Sequence, residues 1–299
     1  MSLGKELKIN RLLQQWPTNA VYLTSWLAEK GYSDQLLHRY KKSNWITSVG
    51  IGAIIKSGDK ATLEGAVFAL QQQAGKDVHP GGKTALGLLG KAHYLEFSSS
   101  IYTLFGAKKE KLPGWFSKYD WKIKVNYFPT SFLPEELGLV EQEMGGFSIK
   151  ISGTARALME CMYMAPKNQD LLECYELMEG LNNLRPKVVQ QLLENCTSVK
   201  VKRLFLYMAT KTGHSWNAYL DVSKIDLGSG KRQLAEDGVY VPQYKITVPK
   251  ILENDELKTP GKPVVKCAAG GCKRKVLCLA RRDRHQFVCA QHAPFVRGY

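Results

Sequence analysis

The chain has 299 residues, 44% hydrophobic and 23% charged, with a formal net charge of +15 at pH 7. That length allows two or three domains, each with its own core. The start, Met-Ser-Leu-Gly-Lys-Glu-Leu-Lys, is charged at once, and no apolar run approaches the roughly 20 residues that span a bilayer, so the sequence predicts a soluble cytoplasmic protein without a secretory leader or membrane helix. Charge gathers at the two ends: residues 1–94 carry 12 Lys and Arg against 6 Asp and Glu, and residues 261–299 carry 9 against 1. Two basic ends around a balanced middle point to a polyanion at the ends and a different task at the centre.

An opening helix is expected over about Lys5–Trp16, stopped by Pro17. Residues 18–59 then read as helix, Gly31 turn, polar-faced helix and a strand pair closed by glycines, the order of a winged helix-turn-helix. Ser33 is placed to cap the second helix. Leu36, Leu37 and Tyr40 share a face that would pack on Leu23, Trp26 and Leu27, while Gln35, His38, Arg39 and Lys42 form a polar stripe opposite. Gln and Arg pair bidentately with adenine and guanine edges in the major groove; the plainer alternative is a solvated helix face. The wing is expected over Ile46–Ile55, with Gly50 and Gly52 at the reversal, although an ordinary hairpin looks the same in sequence. Ser33, Gln35, Arg39 and Lys42 are thus the main candidate DNA contacts, with His38 in the same stripe and Lys41 and Lys56 on flanking phosphates.

Further along, a helix is expected over Ala61–Gln73, a Gly-rich turn at His79–Gly82 and a short helix at Lys83–Leu89. Strands are expected at His93–Phe97, Trp121–Tyr127 and Phe147–Ile151, with Lys108–Lys111 as a charged loop. Helices follow at Thr154–Met164, Asp170–Leu181, Pro186–Asn195 and Val199–Lys211, then a hairpin at Val239–Val248. Cys161, Cys174 and Cys196, in apolar helical contexts, read as small buried hydrophobes. Gly81-Gly-Lys-Thr84 and Gly228-Ser-Gly-Lys231 look like phosphate loops, but Asp77 and Ile225 stand where the full pattern needs glycine, which argues against ATP hydrolysis. The second loop could still cradle an anion through Lys231 and Arg232, or be a glycine turn with solvated lysines. His214 has no nucleophile or acid at a telling spacing, and no enzyme is predicted.

Four of the seven cysteines lie in the last 33 residues. Cys267-x4-Cys272 and Cys289-x2-His292 are two close ligand pairs that would converge on one tetrahedral structural Zn2+. A segment this small and basic buries too little to fold alone, which a metal would remedy. Cys278 or His285 could replace one of the four.

The run from Leu12 to Tyr94 resembles the AbiEi family of bacterial type IV antitoxins and transcriptional regulators, through Leu-Thr-Ser-Trp-Leu (23–27), Ser-Asp-Gln-Leu-Leu-His-Arg-Tyr (33–40), Trp45, Val-His-Pro-Gly-Gly-Lys-Thr-Ala-Leu (78–86) and Gly-Lys-Ala-His-Tyr (90–94). A second block resembles it through Glu-Leu-Met-Glu-Gly-Leu (176–181), Leu-Arg-Pro (184–186), Ser-Val-Lys-Val-Lys-Arg-Leu-Phe-Leu (198–206), Lys-Ile-Asp-Leu-Gly-Ser-Gly-Lys-Arg (224–232) and Tyr-Lys-Ile-Thr-Val-Pro (244–249). The resemblance implies an N-terminal domain that represses its own operon at inverted repeats in operator DNA, and an α/β domain that counteracts a nucleotidyltransferase toxin. It ends near residue 250 and does not include the Cys-rich tail. The expectation is an α+β protein: a winged helix-turn-helix over 1–94, a mixed α/β antitoxin domain over 95–250, a linker over 251–264 and a zinc-binding tail over 265–299. In that scheme the tail adds backbone affinity for DNA through Lys273, Arg274, Lys275, Arg281, Arg282 and Arg284. The rival is an adaptor whose central domain and zinc tail grip the toxin or its tRNA target. Full-length protein is expected to purify with about one zinc per chain by elemental analysis, and Cys267→Ser/Cys272→Ser to lose it; metal-free wild type that stays metal-free when zinc is added would remove the site.

Overall fold

Apolar spacing in the first residues builds a helix with one buried stripe. The computed structural model describes residues 8–91 and 101–253, and α1 (Lys8–Gln15) buries Ile9 and Leu12. Trp16, just past its end, stacks on Tyr22 with ring centroids 4.2 Å apart and donates its indole N–H to the Ala20 carbonyl. Strand β1 (Tyr22–Leu23), helices α2 (Thr24–Glu29) and α3 (Asp34–Lys42), and strands β2 (Ile46–Gly50) and β3 (Ala53–Lys56) follow, in a sheet of order β1-β3-β2. The β2–β3 register shifts between Ser48 and Gly50, which lets Ile46 and Val49 both turn inward although they are three residues apart. Of the two glycines expected to share the reversal, Gly52 alone is left-handed, at φ +82°.

Helix α4 (Leu63–Phe68), capped by the Thr62 hydroxyl, runs into a π-helical turn at Ala69–Gln73 instead of the single helix expected over 61–73. Two glutamines of that turn act as substitute backbone. The Gln73 amide donates to the Val21 carbonyl and accepts the Leu23 N–H at 2.7 Å, taking the place of a strand beside β1. The Gln71 amide donates to the Val78 and Lys150 carbonyls and accepts the Lys150 N–H.

Where a turn was expected from His79, Val78–Pro80 forms strand β4, and helix α5 (Gly82–Leu88) begins at the second glycine of the pair. Its partner β5 (Ile101–Gly106) was not expected at all, yet it is the central strand of the sheet β4-β5-β6, buried from Tyr102 onward. After α6 (Gly114–Lys118) comes β6 (Lys124–Pro129), three residues later than expected and parallel to β5. Trp121, expected within that strand, instead donates its indole N–H to the Phe116 carbonyl. Strands β7 (Leu139–Glu143) and β8 (Ser148–Ser152) form an antiparallel pair; β7 is polar and half-exposed, which hid it in the sequence.

The helical half matches expectation closely. Helix α7 (Thr154–Met164) is buried nearly all round and is touched by α5, α8 (Leu171–Gly180), α9 (Pro186–Asn195) and α10 (Val199–Thr212). Asp170 caps α8 with its carboxylate, and α10 stops at left-handed Gly213. Cys161, Cys174 and Cys196 are buried hydrophobes among these helices. Beyond two short 3-10 turns, β9 (Arg232–Gln233), β10 (Val239–Val241) and β11 (Ile246–Val248) close the sheet β10-β11-β9. The described residues up to Pro249 form one compact unit, and the short helix Lys250–Glu253 falls outside it. Among the described residues no helix is long and apolar enough to cross a membrane. The strand expected at His93–Phe97, the Cys/His tail and the expected linker from residue 254 onward lie outside them, while the first three linker residues, 251–253, are helical.

One ionic cluster holds the centre of the compact unit. Glu160, on α7, is completely buried, and its carboxylate accepts from His79 Nε2 (3.1 Å), Arg156 Nε (3.0 Å), the Ser152 hydroxyl and the Gly82 N–H (2.9 Å). Arg156 also donates to the carbonyls of Pro134 and Leu137. Burial by itself would raise the Glu160 pKa, but the hydrogen bond and charge of His79, the charge of Arg156 and the Ser152 hydroxyl outweigh it and hold the carboxyl below its usual 4.5. Gly81 is needed here because a Cβ would lie 2.3 Å from the Glu160 carboxylate and 2.5 Å from the Phe105 ring. Glu160→Gln leaves the buried Arg156 guanidinium without its counter-charge and is expected to cost about 3–5 kcal/mol in urea unfolding at neutral pH. A carboxyl with a depressed folded pKa stabilises above its ordinary range and loses that contribution as pH falls through the depressed value. Wild type should therefore lose stability on the acid side more steeply than Glu160→Gln.

Candidate nucleic-acid interface

The polar stripe on α3 stands clear of the core. Leu37 is the buried anchor of that helix, Leu36 and Tyr40 are half-buried, and Gln35, His38, Arg39 and Lys42 are exposed. The Ser33 hydroxyl accepts the Leu36 N–H at 3.4 Å, the capping role expected of it. Asp34 in the first turn and Arg39, Lys41 and Lys42 in the last complement the helix dipole, so part of this charge pattern serves the helix itself. The turn before it closes at Gly31, φ +85°, after α2, where Lys30 lies 5.3 Å over the Trp26 ring.

The remaining candidates fare differently. Lys41 is half-buried. Lys56 donates to the Trp16 carbonyl at 2.8 Å and lies 3.9 Å from Asp59, so its ammonium is already engaged within the fold. On the hairpin, Thr47, Ser48 and Ile51 are exposed; their small or apolar side chains gave no signal of a contact.

The glycine loop near Lys231 is organised around a cation. Arg203, 1% exposed on α10, donates to the carbonyls of Leu227, Gly228 and Lys245, and the Asp226 carboxylate takes the Gly228 N–H. Lys231 sits 5.0 Å over the Tyr240 ring and Arg232 is exposed on β9, so an anion there would be gripped by side chains from the outside. His214 is bonded to the Met178 carbonyl. Cys267, Cys272, Cys289 and His292, with Cys278 and His285, lie outside the described residues, among which no three His, Cys, Asp or Glu converge as a metal site.

Residues 5–97 match a family model described as transcriptional regulator, AbiEi antitoxin N-terminal domain. Residues 99–249 match a second, described as transcriptional regulator, AbiEi antitoxin, Type IV TA system. The chain belongs to the AbiEi antitoxin family. A solved structure, that of the RV2827C protein from Mycobacterium tuberculosis, shares its fold at 14% identity and a TM-score of 0.51, covering 80% of this chain and 88% of that one. No curated relative matches the sequence. The boundary between the two AbiEi models falls between β4 and β5, which pair with each other, so the two matched segments share one sheet.

Proposed function

We propose that α2, α3 and the β2–β3 hairpin form a winged helix-turn-helix that binds operator DNA upstream of this chain's own gene, so that the protein represses its operon and counteracts a nucleotidyltransferase toxin encoded there. The observation that carries the DNA half is the exposed Gln35, His38, Arg39, Lys42 stripe, held rigid by buried Leu37 and the Ser33 cap. The family assignment supports the regulator and antitoxin roles. In this reading α3 enters the major groove, Arg39 and Gln35 read base edges, and Ser33 and Lys42 fix the helix on the backbone. Lys41 stays a flanking contact, Lys56 a weaker one because of its internal bonds, and Lys231 with Arg232 a secondary anion contact. A zinc at Cys267, Cys272, Cys289 and His292 belongs to the proposal on donor chemistry alone, as do the boundaries of the DNA-binding and antitoxin segments. The work is done in the cytoplasm, where the promoter is, and no catalytic step is assigned.

Arg39→Ala should cost about 1–3 kcal/mol of affinity for the duplex immediately upstream of the gene and flatten the preference for it over random-sequence DNA. A promoter fusion should be derepressed by the same change. Equal binding of wild type to both duplexes would remove the operator reading.

A further inference from the structure

From the end of β5 to the first residue of β6 the chain carries six exposed lysines, at 108, 109, 111, 118, 122 and 124, against Glu110 and Asp120. Lys122 is paired with Asp120, and Glu110 with Lys76. The other five have no carboxylate partner among the described residues. A lysine run of this kind is ordinarily a solvated face, but this one is docked against the hairpin. A Cβ added to Gly50 would lie 2.9 Å from the Trp115 Cβ and 3.1 Å from its Cα, so the backbone of α6 approaches the wing as closely as glycine permits. Trp115 and Phe116 are buried and anchor α6 there. Lys118, at the end of that helix, lines a cleft with Val49, Gly50, Ile51 and Asp120. An adjoining cleft, which shares Val49, Tyr119 and Asp120 with the first, is lined by Lys60 and Lys122 with Thr47 and Ser48. Ile51, on the rim of the Lys118 cleft, is 96% exposed.

We propose that the α6 segment is a second DNA contact, in which Lys118, with exposed Lys111 in the loop that leads into α6, binds backbone phosphates alongside the groove that the wing tip enters. The inference rests on the operator reading of α3 and extends it to a part of the chain outside the helix-turn-helix. Three features favour duplex phosphate over an acidic protein. Lys118 and Lys122 line clefts with hairpin residues, the one carboxylate in the Lys118 cleft is already neutralised by Lys122, and the bare Ile51 tip is of the kind that wedges between base steps. The lysines are point charges on flexible stems, suited to phosphate and not to reading bases.

Each phosphate neutralised adds about 0.9 to the slope of log affinity against log salt. Lys118→Gln is expected to reduce that slope by about one, and Lys111→Gln/Lys118→Gln by about two. These losses should be equal on the upstream duplex and on random-sequence DNA, because the contact carries no sequence information. Lys187→Gln, an exposed lysine on α9, serves as control and should change nothing. An unchanged slope in Lys111→Gln/Lys118→Gln, with Arg39→Ala still erasing sequence preference, overturns this inference and leaves the operator reading standing. A reduced slope with Arg39→Ala silent supports the phosphate contact and sinks base reading by α3 instead. Wild type that binds neither duplex overturns both.

Discussion

The fold turns on a carboxylate that has no access to water. Glu160 gathers His79 from β4, the Gly82 N–H at the start of α5, Ser152 at the end of β8 and Arg156 from its own helix. A buried charge survives only when its field and lone pairs are met by partners. Here the partners come from four elements, so every one of them is fixed by the requirement. Arg156 passes the constraint on through the carbonyls of Pro134 and Leu137, ordering the loop before β7. Such a cluster adds little net energy over a well-packed apolar core; its effect is to allow one arrangement of these pieces and penalise others.

A second constraint of the same type works through amides. Gln73 completes the edge of β1 and Gln71 clasps the peptide of Lys150 in β8, two residues apart in the chain. Through them the sheet carrying the hairpin is tied to the strand that ends at Ser152, and so to the Glu160 cluster. Trp115 against Gly50 makes a further tie on the opposite side of the hairpin. The exposed face of α3 therefore belongs to a braced module.

What could be read from the sequence was what local periodicity encodes. The four helices from α7 to α10 came out nearly residue for residue, because each has a cap, a proline or a glycine at its end and an apolar face in register. The stripe on α3 and the Ser33 cap were equally legible. Strand β5 was missed because a strand buried in a sheet has no alternation to betray it, and it lies next to a stretch with no clear pattern. The motif at residues 78–86 was visible as a resemblance, but its meaning depends on Glu160, some 80 residues on, and no spacing rule connects the two. The glutamines of the π-helical turn carry no sequence signal of their role, because most of the carbonyls and N–H groups they bind lie on segments remote in the chain. Lys56 looked like a free surface charge because nothing local announces the Trp16 carbonyl and Asp59 that hold it.

Strand β4 lies in the segment matched as N-terminal, yet its hydrogen bonds run to β5, with Val78 opposite Gly106 and Pro80 opposite Leu104. Severing the polypeptide at the family boundary would leave β5 with a raw edge, an open template for pairing with other molecules. Truncation products of either half should accordingly be prone to aggregate. The two family-matched segments would then survive or perish as one piece.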